Sequence, residues 1–572
     1  MNLDTRVAAL VEPFQTGLRA YAFGPDLEAM AAELQRLLQV HRTQRTGLHD
    51  RVRLKALSLL AEYLDAFGRA AEAALLLKAS VKELRETMPE WSNEIAAASE
   101  LERISLRRLI RQRVWCCLSY AVCLLRANQF DEAGAILSRL REFVDGVLVD
   151  ARRFPCHGTI ALLRYYQGVI NRNQGRMNEA AWDFDAALDG LRLRFEEKEA
   201  KHARTDPERL KREAIYRQVN TARILGFGHG GIALSRGRYV EARAWMTAAQ
   251  QILAQSGQEV WRRGLDVYGC CAAVLVQQVH PTSVPALTAS VAQLKESAAW
   301  FQGRNRRNAC IAEAFAILAE VRLRQIRQWE AGESILLLRL DALLPRVEPC
   351  LREIYRDSGP LSAAAALRLI GCLLRARELT RCQRELVRFQ KAFGQQGDGL
   401  AEFQVLQAEV WIETGRREAA RALLMELVEQ RPVNRAFRAR AWALLAWCEH
   451  RSGQVIWAER SLAAARDALT QVQDGFTKVL VDEIASEIMP AVKQAAGAMP
   501  YQAAGEDVRW CDLDYNLEAA RLHVVEAVHR RHPGYSVEKL AALMGRGPSW
   551  LYGFLALHRD VEWVNRILSR AR

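Results

Sequence analysis

Gly226-Phe227-Gly228-His229-Gly230-Gly231 sets one imidazole among bare backbone positions. Such a segment serves either a turn whose free N–H groups cradle a phosphate or an acid–base group held in a close-packed site. No strand-forming run precedes it, as a phosphate loop between strand and helix requires, and each Gly costs an ordinary helix about 1 kcal/mol relative to Ala. Gly230 also occupies the small-residue position of a helix-pair frame described below, so tight helix packing is the favoured reading. Cys156-His157 supplies a thiol and a base. Adjacent residues on a helix diverge by about 100 degrees, however, so the two do not form a thiolate–imidazole contact. The chain contains no Gly-x-x-x-x-Gly-Lys-Ser/Thr, His-Glu-x-x-His, Gly-x-Ser-x-Gly or kinase signature. It has no Cys-x-x-Cys pair for a zinc ribbon or redox pair. A protein without catalytic residues, metal or cofactor is expected.

Charge is the next chemical signal: 80 Lys and Arg face 67 Asp and Glu, a net charge of +13. A surplus of this kind attracts nucleic acid or acidic proteins, or keeps a protein soluble. Arg103, Arg107, Arg108, Arg111 and Arg113 recur at helical spacing, and Arg304, Arg306 and Arg307 form a second cluster. Both read first as solvated faces paired with nearby Glu. The 12 cysteines lie mostly on apolar helical faces, as at Cys116, Cys117, Cys123, Cys270, Cys271, Cys372 and Cys448. There a thiol acts as a small hydrophobe.

The elements that carry these residues follow from a recurring frame. Where two antiparallel helices pack closely, the residues at their crossing must be small, and the turn between them is shortest with a left-handed Gly. Counting from such a turn, a small residue stands seven before, an Ala five after, a large apolar residue nine after and a small or apolar one twelve after. Around Gly68 these are Ala61, Ala73, Leu77 and Ser80; around Asn128, Ala121, Ala133, Leu137 and Leu140; around Gly175, Gly168, Ala180, Phe184 and Ala187. Gly237 brings Gly230, Ala242, Met246 and Ala249; Gly415 brings Ala408, Ala420, Leu424 and Leu427; Gly453 brings Ala446, Ala458, Leu462 and Ala465.

On these residues the chain resembles the tetratricopeptide repeat family. Gly-Arg-x-x-Glu-Ala follows the turn at Gly68 to Ala73, Gly175 to Ala180 and Gly237 to Ala242, and Trp442, Leu445 and Pro432 fall where that family places Trp, Leu and its terminal Pro. The resemblance covers roughly residues 50 to 470. It implies an all-α fold, a solenoid of helical hairpins whose concave surface holds a protein or peptide partner.

Between the frames, Leu191 to Glu213 reads as a solvated helix extension broken at Asp206-Pro207. Pro281 to Pro285 is too rich in Pro for a helix interior, and Asn308 to Leu386 reads as degenerate repeats. No stretch approaches the roughly 18 to 20 apolar residues of a membrane span, and the start lacks a secretion signal, so a cytoplasmic protein without a membrane partner is expected. The expected organisation is an N-terminal helical cap over 1–49, the repeat array over 50–494, a linker over 495–510 and a three-helix tail over 511–572.

In the tail, Leu517, Ala520, Val524, Val525 and Val528 mark one helix face; Ser536 caps a helix carrying Val537, Leu540, Ala541 and Leu543; Gly545-Arg546-Gly547 turns the chain, and Pro548 opens a third helix. The stretch from Asn516 to Leu555 resembles the Fis-type helix-turn-helix that ends many bacterial enhancer-binding activators. Leu517-Glu518, Leu543, Gly545, Ser549, Leu551-Tyr552 and Leu555 match in order. The resemblance implies a bacterial source and a last helix placed in the DNA major groove. Where that family carries basic residues, this chain has Pro548, Gly553 and Phe554. The groove-side set is then Arg546, Ser549, Trp550 and Tyr552, flanked by Lys539 and Arg559. Two functions fit: a bacterial regulator whose solenoid senses a protein or peptide and whose tail engages DNA or the transcription machinery, and a cytoplasmic adaptor whose tail is a docking or homodimerisation module.

Overall fold

Each frame residue meets the role its size suits. In the computed structural model, Ala61, Ala121, Ala408 and Ala446 at the helix crossings are wholly buried, as are Ala73, Ala133, Ala180, Ala242, Ala420 and Ala458 after the turns. Gly168 and Gly230 are buried as well. Gly175, Gly237, Gly415 and Gly453 all have φ between 73° and 81°, the left-handed turn that the spacing requires. Gly68 and Asn128 lie outside the described residues.

The structure describes residues 3–19, 25–44, 50–147 and 157–498, apart from 68, 98, 128, 203–205, 255, 257, 334–337, 339, 356–359, 394–399, 431–433 and 471. Beyond 498 it describes 525, 526, 528–530, 536–543, 551, 555, 556 and 564. All regular structure among these residues is helical. Contacts divide the chain into two units, Met1–Val492 and Lys493–Arg572.

In the first unit, helices succeed one another as packed pairs. α1 (Leu3–Arg19) and α2 (Pro25–Gln44) come first, followed by α3 (Asp50–Ala66) with α4 (Ala70–Ala97), α5 (Glu100–Arg126) with α6 (Phe130–Val147), and α7 (His157–Asn173) with α8 (Met177–His202). α9 (Pro207–Arg223) continues through a π-helical turn, Ile224–His229, into α10 (Gly230–Ser235), which pairs with α11 (Tyr239–Leu253). Then come α12 (Glu259–Val276) with α13 (Val284–Phe301), α14 (Arg306–Glu330) with α15 (Leu344–Ile354), and α16 (Pro360–Arg375) with α17 (Leu379–Phe393). α18 (Leu400–Glu413) with α19 (Arg417–Gln430), α20 (Arg435–Arg451) with α21 (Val455–Leu469), and α22 (Gly475–Ala498) complete the series.

Polar groups also lock pairs from within. Four residues before and eight after the turn, Asn171 Nδ2 donates to Asp183 at 2.8 Å, and at the same two positions of the Gly453 pair Ser461 donates to Glu449 at 2.7 Å. Burial raises both carboxyls above their ordinary range.

Two expectations change, the solvated extension and the uniform Arg faces, and others gain detail. The Leu191 to Glu213 extension is not simply solvated: Leu191 is buried, Arg194 binds Glu213 at 2.8 Å and its guanidinium lies 4.1 Å from the Tyr216 ring centroid. The break at Asp206-Pro207 is where expected, with Asp206 accepting from the Arg209 N–H. Pro281 and Pro285 stay out of a helix interior, as expected: Pro281 opens a short 3-10 turn and Pro285 falls in the first turn of α13, where it needs no N–H partner. Within the 308–386 stretch, α16 and α17 form a pair around Arg377, a non-Gly residue at φ 59°, with Cys382, Leu386 and Phe389 at the buried frame positions. The two Arg clusters are also less uniform than solvated faces. Arg108 and Arg111 are exposed, whereas Arg113 binds Glu94 at 3.0 Å and lies over Trp91. Arg304 and Arg306 are exposed and Arg307 turns inward. The side chains of Arg103 and Arg107 lie outside the description. The named cysteines are all buried free thiols.

Late helices return to the middle of this unit. The Val240 N–H donates to Gln473 Oε1 at 2.9 Å, Arg368 donates to the Tyr239 hydroxyl at 3.4 Å, and a Cβ on Gly475 would stand 2.4 Å from the Gln277 carbonyl oxygen. Asp474 caps α22 and sits 4.0 Å from buried Arg322, while Arg322, Arg375 and Arg440 surround the Phe476 ring at 5.4 to 5.5 Å. Arg375 and Arg440 both reach Glu409. Desolvation drives the Arg322 guanidinium below its usual pKa, against the pull of Asp474.

Two measurements test this packing. A Cβ at Gly168 would lie 2.6 Å from Phe184 and 3.1 Å from the Ala180 carbonyl oxygen, whereas one at Gly175 meets nothing within 4 Å. Gly168→Ala should therefore cost about 1–3 kcal/mol through overpacking, and Gly175→Ala about 1–2 kcal/mol through its backbone conformation alone. Valine in place of each separates them: chemical unfolding should show a much greater further loss at 168 than at 175, and equal losses would refute the close-approach account. Asp474→Ala strands Arg322 and should cost about 3–5 kcal/mol; a loss below about 1 kcal/mol would show that the cluster does not hold the late helices.

Candidate functional site

The same frame that buries one side of each first helix turns another side inward. Six and three residues before the turn, Glu62 and Asp65, Val122 and Leu125, Val169 and Arg172, and Gly231 and Leu234 all line one cavity. Two before the turn, Ala66, Arg126, Asn173 and Ser235 join them. These offsets fall on one helical face because three to four residues complete a turn. Farther along the chain, α12 adds Trp261, Gly264 and Tyr268, α14 adds Arg307, Asn308 and Phe315, and α16, α18 and α20 add Arg368, Glu402 and Phe437. The cavity holds about 420 Å³.

Its chemistry is cationic and aromatic. Arg126, Arg172, Arg223, Arg307 and Arg368 face Glu62, Asp65 and Glu402. Arg126 lies 3.5 Å from Asp65, and Arg368 lies 3.6 Å from Glu402. Burial raises the Glu402 carboxyl pKa, and Arg368 and Arg440 partly oppose that rise. Arg223 donates to the Tyr166 hydroxyl at 3.1 Å and lies 5.3 Å from the Tyr165 ring centroid and 4.7 Å from that of Trp261. Such stacking fixes the guanidinium plane while leaving its edge for polar contacts. Arg172 donates through Nη1 to the Phe227 carbonyl at 2.8 Å and through Nη2 to Asn173, and its buried Nε has no hydrogen-bond partner.

The Gly-rich segment builds part of this wall. Its π-helical turn is a helix, not a phosphate loop, and the missing side chains let four neighbours approach. A Cβ would stand 2.2 Å from Leu265 at Gly226, 3.1 Å from Phe184 at Gly228, 2.8 Å from Met246 at Gly230 and 2.2 Å from Arg172 at Gly231. Single π turns release backbone groups from the regular ladder, and here the Phe227 carbonyl meets Arg172. His229 points elsewhere: it stacks on Trp245, meets the edge of Phe184 and lies 3.2 Å from Asp185. Burial lowers its pKa despite that carboxylate. Cys123 also lines the cavity, and desolvation pushes its thiol well above the usual range. Among the described residues, no group of three His, Cys, Asp or Glu is placed to hold a metal ion, and no helix is long and apolar enough to cross a membrane.

In the second unit, Lys539 is exposed on the helix Val537–Leu543, and its N–H reaches Ser536 Oγ at 3.5 Å. Val525, Val537, Leu540, Ala541, Leu551, Leu555 and Val564 are buried. Arg546, Ser549, Trp550, Tyr552 and Arg559 lie outside the described residues, as do most of the expected linker and first tail helix. No known protein family model matches the chain, and no curated protein matches it.

The frame predicted which residues pack; it did not single out Trp115, Arg172, Arg223 or Trp261 as a site. The available signal was an aromatic and arginine stripe at the offsets opposite the small residues, as in Tyr165, Tyr166, Val169 and Arg172. A pH experiment tests the assignment of His229. Its folded pKa lies below the ordinary imidazole value of about 6.5, so as pH falls through that value the unfolded chain gains the proton first and stability declines. His229→Asn should flatten this part of the stability profile relative to wild type; identical slopes from pH 7.5 to 5 would show that the ring is not held neutral by its surroundings.

Proposed function

We propose that this chain is a bacterial, non-enzymatic regulatory protein: a tetratricopeptide-like solenoid that binds a protein or peptide partner on its inner face, joined to a helix-turn-helix-like tail that engages DNA or the transcription machinery. The observation that carries the reading is the repeated use of the same offsets. The positions six, three and two before the turn line the cavity in four consecutive pairs, so the fold presents a continuous variable surface on a constant scaffold. The packing of His229 against Trp245 supports a structural part for that ring in this reading.

A second reading rests on the tail itself. Gly553 and Phe554 stand where the activator family has basic residues, and a tail short of phosphate contacts suits an adaptor whose last unit docks or dimerises.

One pair of experiments separates these. A photo-crosslinking residue placed at inward Trp115 should capture a defined protein or peptide in the native cell, whereas the same residue at outward Leu75 should not. Equal labelling from both would remove the inner-face reading. With the full chain on labelled duplex DNA, the regulator predicts binding that falls steeply with salt and weakens with Arg546→Ala. Absence of retention at low salt leaves the adaptor.

A further inference from the structure

We infer that the central cavity is a binding site for a small organic anion with a flat apolar body, such as an aromatic carboxylate. This goes beyond the partner reading by giving part of the same inner face a small-molecule occupant. The cavity of about 420 Å³ has the size of a small-molecule site and the usual mixture of apolar walls with a few directed polar groups.

Two observations point to the anion. Arg172 lines the cavity and is held by neutral acceptors, the Phe227 carbonyl at 2.8 Å and the Asn173 side chain at 3.3 Å, and no carboxylate among the described residues pairs with it. The buried Nε is closed off, but the Nη groups keep further N–H donors on a guanidinium that lines the cavity, and a carboxylate would answer them with charge-assisted hydrogen bonds. The π-helical turn and the absent side chain at Gly231 hold this arginine in place, so the donor is fixed before any ligand arrives.

The flat body follows from the rings. Trp115 lines the cavity and is 44% exposed, so part of its indole surface is open. Across the lining, Phe227 packs edge-on to Tyr268 at 4.8 Å, and Trp261 carries Arg223 over its face. Rings of this kind favour stacked or edge contacts with another ring.

The test uses the full-length protein with 2-naphthoate and its neutral isostere, 2-naphthamide, followed by calorimetry and tryptophan fluorescence. Naphthoate should bind with the affinity of a weak small-molecule site and naphthamide about tenfold or more weakly, because a charge-assisted hydrogen bond is lost. Arg172→Gln should remove the preference for the anion, Arg172→Lys should restore part of it, and Trp115→Ala should weaken both compounds. Equal affinity for the two compounds, no binding of either, or an anion preference that survives in a folded Arg172→Gln protein would overturn the inference. Should Arg172→Gln fail to fold, the naphthoate–naphthamide comparison and Trp115→Ala still decide it. Failure of the crosslinking experiment would remove the partner reading without touching this one.

Discussion

Close approach of paired helices at bare or nearly bare backbone governs this protein. At Gly168 a single methyl group would meet Phe184 and the Ala180 carbonyl. The interior is packed at crystal-like density, so such a contact cannot be relieved by drift of the neighbours. Because the small residues fix how near the two helices stand and at which rotation, they also fix which side chains face away from the crossing. The cavity lining is thus a consequence of packing: Asp65, Leu125, Arg172 and Leu234 share one offset because Ala61, Ala121, Gly168 and Gly230 share another.

The rule bends where chemistry allows. Arg377 holds a left-handed turn that glycine holds elsewhere, at a backbone cost of about 1–2 kcal/mol. The pair around it still packs through Cys382, Leu386 and Phe389. The π-helical turn at Ile224–His229 is a second departure. It breaks the regular helical ladder, and side chains from α8, α11 and α12 fill the space its glycines leave.

Buried charge marks where distant parts of the first unit meet. Asp474, Arg322, Glu409, Arg375 and Arg440 come from four helices and the residue capping a fifth, and all are removed from water. A buried ion pair adds little net stability over an apolar one, but removing one partner is severe. Such a cluster therefore specifies one arrangement of the late helices against the early ones. Phe476, ringed by three guanidinium groups, fixes the start of α22 at that meeting point.

The sequence by itself determined the helical class, the crossings and the turns at Gly175, Gly237, Gly415 and Gly453, because hairpin packing is local and reads directly from residue size at fixed spacing. The pair around Arg377 stayed hidden, since neither Arg nor Cys382 carries the Gly–Ala signal. Only the tertiary structure decided that Trp115, Arg172, Arg223 and Trp261 share a cavity, and that Arg307 leaves its surface cluster to join them. Those residues belong to different pairs, and what brings them together is the rotation from each pair to the next. Contacts such as Val240 with Gln473 and Arg322 with Asp474 then hold the late helices against the middle ones, between residues too far apart in the chain for any local spacing to relate them.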